Sequence, residues 1–218
     1  MKLNKKGFTL IELLAVITIM GILMMVAIPA VSRTIENSRR DTFANLTKQY
    51  IESVRNAVIA DELTCDGKSV SATLAGNYYF LINTEKLDPA LSTDSYQNTI
   101  DLMESGGKSS WGNNDVIGMV AWKKENSVTG ATSGFKITYY AMLVDKGNHG
   151  LPSITEESAI KRSKILANTT GTAGYNDLIT LTGLQTKATP PTQNTPKETL
   201  AGLKFSGAGA AVQCTLDQ

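Results

Sequence analysis

Three groups of residues have types and spacings that chemistry could use. The first lies in the opening stretch MKLNKKGFTLIELLAVITIMGILMMVAIPAV, where Gly7 separates basic from apolar sequence and Glu12 stands inside the apolar run. The second is the pair Cys65 and Cys214, the chain's two cysteines. The third is a scatter of polar residues: GGKSS at Gly106–Ser110, His149, Asp61-Glu62, Glu156-Glu157 and Asn168-Thr169-Thr170.

The scatter is read most simply as ordinary surface and turn. A phosphate loop ending in GGKSS needs a glycine five residues before Gly107, and Leu102 is there. His149 sits in GNHG with neither an HExxH context nor a GxSxG partner. The adjacent carboxylates point to different faces and are expected to be solvated. Asn168-Thr169-Thr170 matches a glycosylation acceptor only as a short pattern. No enzymatic activity, cofactor or metal is expected. The cysteines form no Cys-x-x-Cys pair, which removes the zinc and thioredoxin-type readings. In an exported chain such a distant pair is more simply a disulfide, the alternative being two unrelated thiols. Closing a loop of roughly 150 residues constrains the unfolded chain by about 5 kcal/mol in the entropy model.

Glu12 is harder to dismiss. From Phe8 to Val31 only Thr9, Glu12, Thr18 and Gly21 interrupt the apolar sequence, a run longer than the roughly 18–20 residues that cross a bilayer. Lys2, Lys5 and Lys6 precede it with no acid among them, so the N-terminus is expected in the cytoplasm and the rest outside. A cleaved secretory signal, cut near Ile28-Pro29-Ala30 or Ala30-Val31-Ser32, and a plain signal anchor are alternatives. The run exceeds the usual signal core, and neither alternative gives Glu12 a task. A carboxylate in a membrane helix costs about 2.5–3.5 kcal/mol on insertion scales, less near an interface. The first cation on this helix after Glu12 is Arg33, about 30 Å further on. The partner is therefore expected from elsewhere. A cut between Gly7 and Phe8 creates a cationic α-amine, and a neighbouring chain offset along the axis brings that amine to Glu12.

The stretch KKGFTLIELL resembles the class III leader of the type IV pilin family, as found in Gram-positive type IV pilins and related pseudopilins: a short basic leader, Gly, Phe, and Glu fifth after the cut. The apolar tail with Pro29 near its end fits, and the resemblance covers about the first 60 residues. It implies cleavage after Gly7 by a prepilin peptidase, whose site does not accept a larger side chain there, and N-methylation of Phe8. It further implies that Glu12 guides each subunit into a filament by neutralising the next amine, and that the helix can melt near Gly21 and Pro29. The implied partners are other copies of the chain, the peptidase and methyltransferase, a membrane assembly platform and minor pilins.

The elements that position these residues follow from periodicity. Phe43, Leu46, Tyr50, Val54 and Ala57 recur every three or four residues, with Arg39, Lys48, Glu52 and Arg55 between them. One long helix is expected from about Phe8 to about Leu63, closed by Cys65-Asp66-Gly67 and loosened at Pro29, which has no amide hydrogen, and at Gly21. Asn77–Asn83 reads as a short buried strand or a helical turn. Asp115–Lys124 and Gly134–Asp145 read as an antiparallel hairpin around ENSVTGATS. Ser153-x-x-Glu156 matches a capping box before a short helix. Residues 186–198, TKATPPTQNTPKE, read as a loop. Residues 203–216 return as a strand carrying Cys214, and a Cys65–Cys214 bridge would staple that strand to the end of the helix.

The expected fold is α+β and pilin-like: one long N-terminal helix, its first half apolar, packed against a small antiparallel β-sheet head. Its parts are a leader over 1–7, a membrane or filament-core half-helix over 8–31, an amphipathic half over 32–63 and a head over 64–218. A net charge of +1 gives no electrostatic argument for a nucleic-acid partner. Arg33, Arg39 and Arg40, with Glu36 and Asp41 among them, read as a solvated or juxtamembrane helix face. A type IV pilus subunit is the leading expectation: a single-pass membrane precursor that becomes part of a surface fibre for adhesion, motility or aggregation. A pseudopilin of a secretion or DNA-uptake system comes second, and the size of the head favours the first. A membrane-anchored or secreted binding domain or enzyme comes third, and it would start near residues 31–33.

Overall fold

The structure is a computed structural model describing residues 7–65, 67–73, 75–82, 107–112, 116–126, 134–145, 147, 149–167 and 212–216. It divides into two compact units, residues 1–38 and 39–218. Helix α1, Leu10–Ile59, contributes to both and passes through Gly21 and Pro29 as one helix.

In the first unit Phe8 and the large apolar side chains of α1 are exposed, from Phe8 at 91% to Ile35 at 48%. A helix apolar on all sides has no polar face to turn to water and belongs in an apolar medium. It is long and apolar enough to cross a membrane, and nothing in its most apolar window is buried. In the second unit the periodic residues Phe43, Leu46, Tyr50, Val54 and Ala57 are buried, together with Ile51 and Val58. Lys48 and Glu52 stay exposed between them.

The helix stops at Ile59, short of Leu63, because a tighter terminator intervenes. Asp61 adopts a left-handed conformation with φ 59°. Its amide bonds the Val58 carbonyl, and the Glu62 amide reaches back to Ala57 at 3.0 Å. This is a Schellman motif with aspartate where glycine is usual. Leu63 already belongs to a strand.

Among the described residues seven strands follow: β1 Leu63–Cys65, β2 Lys68–Ser69, β3 Gly76–Ile82, β4 Val116–Asn126, β5 Phe135–Asp145, β6 Gly150–Glu156 and β7 Val212–Leu216. They form one sheet in the order β2-β1-β7-β3-β4-β5-β6. The expected hairpin is β4–β5, paired from Val116↔Asp145 to Asn126↔Phe135. The stretch read as strand or helical turn is strand β3 as far as Ile82. The sheet is mixed rather than wholly antiparallel, because β7 runs parallel to β3. A parallel neighbour needs a long connection, and the chain between Ile82 and Val212 provides one.

One sheet face packs on α1, where Phe80, Val120, Trp122 and Leu143 meet Phe43, Tyr50 and Val54 in one core. The other face carries Tyr79, Leu81, Ile117, Met119 and Met142, which are buried as well. Burial on both faces explains why VIGMVAW in β4 is a continuous apolar run instead of an alternating one.

The capping box expected at Ser153-x-x-Glu156 does not form, since Ser153 and Glu156 lie in strand β6. A 3-10 turn at Glu157–Ala159 follows without a side-chain cap, and another spans Arg162–Lys164. The ladder with β5 takes the Glu156 backbone, pairing it with Tyr140. Pro152 is accommodated because β6 is the outer strand and its register with β5 slips between Ala141 and Leu143. Residues 168–211, including the proline-rich loop and the glycosylation pattern, lie outside the described residues.

Candidate functional site

The site read from the sequence begins where α1 begins. Gly7, Phe8 and Thr9 precede the helix, and Thr9 is its N-cap. The Thr9 hydroxyl accepts from the Glu12 amide at 3.3 Å, while the Thr9 amide and hydroxyl each donate to Glu12 Oε2 at 2.8 Å. The Leu13 amide closes the first turn on the Thr9 carbonyl. This reciprocal arrangement is a capping box: it satisfies amides that the first turn of a helix leaves without partners.

Thr9 is the residue sequence reasoning missed. Glu12 was expected to find its partner only on another chain, but the structure places neutral donors three residues away. The spacing Thr-x-x-Glu ahead of an apolar run is a recognisable signal for that contact. A threonine brings no charge, so the carboxylate stays an anion without a counter-cation on its own helix.

Gly7 has a different kind of explanation. A Cβ built there meets nothing within 4 Å, and its backbone is not in the left-handed region. The fold therefore gives no reason for a glycine at this position. By contrast Gly107, with φ 36°, sits where a Cβ would strike the Tyr50 hydroxyl, and that hydroxyl donates to the Gly107 carbonyl. Gly21, like Gly7, has open space around it. Pro29 supplies no N–H for the Met25 carbonyl.

The cysteines are bridged. Cys65 and Cys214 lie directly opposite each other on β1 and β7, with Cα atoms 4.2 Å apart, so the staple from helix exit to final strand is as expected.

Several of the described residues of the polar scatter make structural contacts. Ser109 of the GGKSS turn donates to Asp145 at 2.6 Å, and Ser110 donates to the Arg39 carbonyl at 2.8 Å. Asp145 is fully buried and also accepts from the Gly147 and His149 amides. His149 Nδ1 lies 2.9 Å from the same carboxylate, and its ring stacks on Trp111 with centroids 4.9 Å apart. Serine, aspartate and histidine thus meet, but the hydroxyl bonds the carboxylate and not the imidazole. Nucleophilic catalysis requires the base to take the hydroxyl proton, so this cluster is a clamp joining the turn to the end of β5. Glu157 is engaged by Arg55, and Glu156 accepts from Ser158. Asp61 accepts from the Ser71 amide and hydroxyl, which hold its carboxyl below the usual aspartate range. Among the described residues no group of three His, Cys, Asp or Glu is placed to hold a metal ion.

Residues 2–28 match the family model described as the prokaryotic N-terminal methylation motif. A motif of this description characterises the class III leaders of type IV pilins and pseudopilins. No curated protein and no solved structure matches the chain.

Proposed function

We propose that this protein is the structural subunit of a type IV pilus. The observation that carries the reading is the methylation motif at residues 2–28, set on a helix that is apolar all round and joined to an α+β head. The motif implies processing by a prepilin peptidase and assembly into pilus-like filaments. On this reading Gly7 and Phe8 flank the scissile bond. The open space around Gly7 supports that role, since the glycine answers to something other than its own fold. Phe8 becomes the methylated N-terminus, and Glu12 accepts the Phe8 amine of the neighbouring subunit. Gly21 and Pro29 mark where α1 loosens in the fibre. The precursor spans the cytoplasmic membrane once with its head outside, and it works with an assembly platform and minor pilins. Adhesion, aggregation or motility follows from the fibre.

The test is intact mass and electron microscopy of surface-sheared material. A chain beginning at a methylated Phe8, found in long fibres, supports the pilin reading. The same N-terminus confined to the membrane fraction without fibres points to a pseudopilin. A start near Val31 or Ser32 overturns both and leaves a secreted binding domain or enzyme.

A further inference from the structure

Thr9 does more for the first turn of α1 than hold the Glu12 carboxylate. In an α-helix each amide bonds the carbonyl four residues back. A helix continued toward the N-terminus would join the Glu12 amide to the Phe8 carbonyl and the Thr9 amide to the Lys5 carbonyl. Both amides are engaged otherwise. The Glu12 amide donates to the Thr9 hydroxyl at 3.3 Å, and the Thr9 amide donates to Glu12 Oε2 at 2.8 Å. The capping box thereby starts the helix at Leu10 and leaves Gly7 and Phe8 outside it.

Another start is open to this sequence. The apolar run begins at Phe8, ahead of the cap, and the next residue of capping type upstream is Asn4. A helix begun at Asn4 would wind Gly7 and Phe8 into its first turn. Glycine within a helix and the charges of Lys5 and Lys6 at its positive end oppose that start. The box at Thr9 tips the balance further the same way.

The choice of start matters for the bond between Gly7 and Phe8. Hydrolysis requires a nucleophile to reach the Gly7 carbonyl carbon. Inside a helix that carbonyl would be tied to the Ile11 amide and its peptide enclosed by the turn. Here Phe8 is exposed and a Cβ at Gly7 would meet nothing within 4 Å, so the chain packs nothing against the bond. The methylation motif at residues 2–28 spans the same junction. We infer that Thr9 is a positioning residue for leader removal: its capping box with Glu12 keeps the Gly7–Phe8 peptide out of the helix, in the open form that a peptidase can attack. The inference rests on the processing reading proposed above, and it gives the pair Thr9 and Glu12 a task that precedes assembly.

The test is a cleavage time course of the full-length precursor, disulfide intact, in detergent micelles with purified prepilin peptidase, read by intact mass. Thr9→Ala exchanges the cap for the strongest helix former. It should be cut about fivefold more slowly, the loss of competent population that removing one ordinary N-cap allows. Thr9→Ser and Thr9→Asn, which cap with different side chains, should restore the rate. Carbon chemical shifts of Gly7 and Phe8 should move toward helical values in Thr9→Ala and not in the other two. Equal rates for wild type and Thr9→Ala overturn the inference and leave the pilin reading standing. So does a Thr9→Asn chain as slow as Thr9→Ala, which would assign Thr9 to direct contact with the peptidase. A wild-type chain left uncut between Gly7 and Phe8 removes the processing reading, and this inference with it.

Discussion

Glu12 Oε2 receives both donors of Thr9, amide and hydroxyl, at the same distance of 2.8 Å. The carboxylate is therefore solvated by its own helix before any neighbour reaches it. Two neutral donors reduce the cost of placing it in lipid, and they leave its charge available for an incoming amine. If the amine displaces them, the pair gains strength from the charge on both sides.

This separates two variants. In Glu12→Ala the membrane monomer loses an unpaired charge, while every fibre contact would bury an amine with no acceptor. Leaving one partner of a fully buried pair uncompensated costs about 3–5 kcal/mol. The expected result is a cleaved protein that accumulates in membranes and is absent from sheared fibres. Thr9→Val removes only the hydroxyl and should reduce membrane accumulation of the monomer more than fibre assembly. Immunoblots of membrane and sheared fractions measure both, and normal fibre yield from Glu12→Ala would refute the docking role.

The disulfide should matter most in the unfolded chain. With Cys65 and Cys214 bridged across 149 residues, reduction or Cys214→Ser should lower stability by up to about 5 kcal/mol. Thiol titration of the purified chain should find no reactive sulfhydryl before reductant. Calorimetry of oxidised and reduced protein checks the magnitude.

Lys124 anchors the segment after β2. Its Nζ donates to the Val70 and Thr73 carbonyls at 2.9 Å each, beneath the Phe135 ring. Burial pushes its pKa down, but truncation would strand buried carbonyls. Lys124→Met should cost about 1–3 kcal/mol, read as a fall in denaturation midpoint with little change in slope. A neutral result would mean that water replaces the ammonium freely.

Asp61 and Asp41 contribute to the acid response. The Ser71 amide and hydroxyl hold the Asp61 carboxyl below its usual range, and Arg162 does the same for Asp41. A depressed folded-state pKa stabilises the fold above the unfolded value near 3.9 and loses that contribution as pH falls through the folded value. Stability should therefore be flat on their account above about pH 5 and decline below pH 4. Asp61→Asn keeps a residue suited to the left-handed backbone and should flatten part of that decline in acid-unfolding curves.

The long helix was legible because its signal is dense. An apolar run with few interruptions and then Phe43, Leu46, Tyr50, Val54 and Ala57 at helical spacing leave little else for the chain to do. The β4–β5 hairpin was legible for a similar reason, as two β-rich runs bracket a Gly/Ser/Thr loop. What escaped was decided by competition between neighbours. Asp61 ends the helix early because its carboxylate finds Ser71, ten residues away. The Ser153–Glu156 cap is lost because Thr155 and Glu156 are paired with β5 and the chain there is strand. At the N-terminus Gly7, Phe8 and Glu12 could be named, but Thr9 could not be given a role while only charged partners were being sought.

The position of β7 has a consequence for biogenesis. The β1–β2 hairpin touches the rest of the sheet only through Val212–Leu216, so a ribosome that has finished β6 has still not supplied the piece that unites the described strands. Docking of the β1–β2 hairpin beside β3 therefore waits for β7, and the Cys65–Cys214 bridge can close only once Cys214 has been made. A chain that has completed β6 but not β7 leaves an unpaired edge on β1 and another on β3, the kind of edge that invites pairing with a second chain.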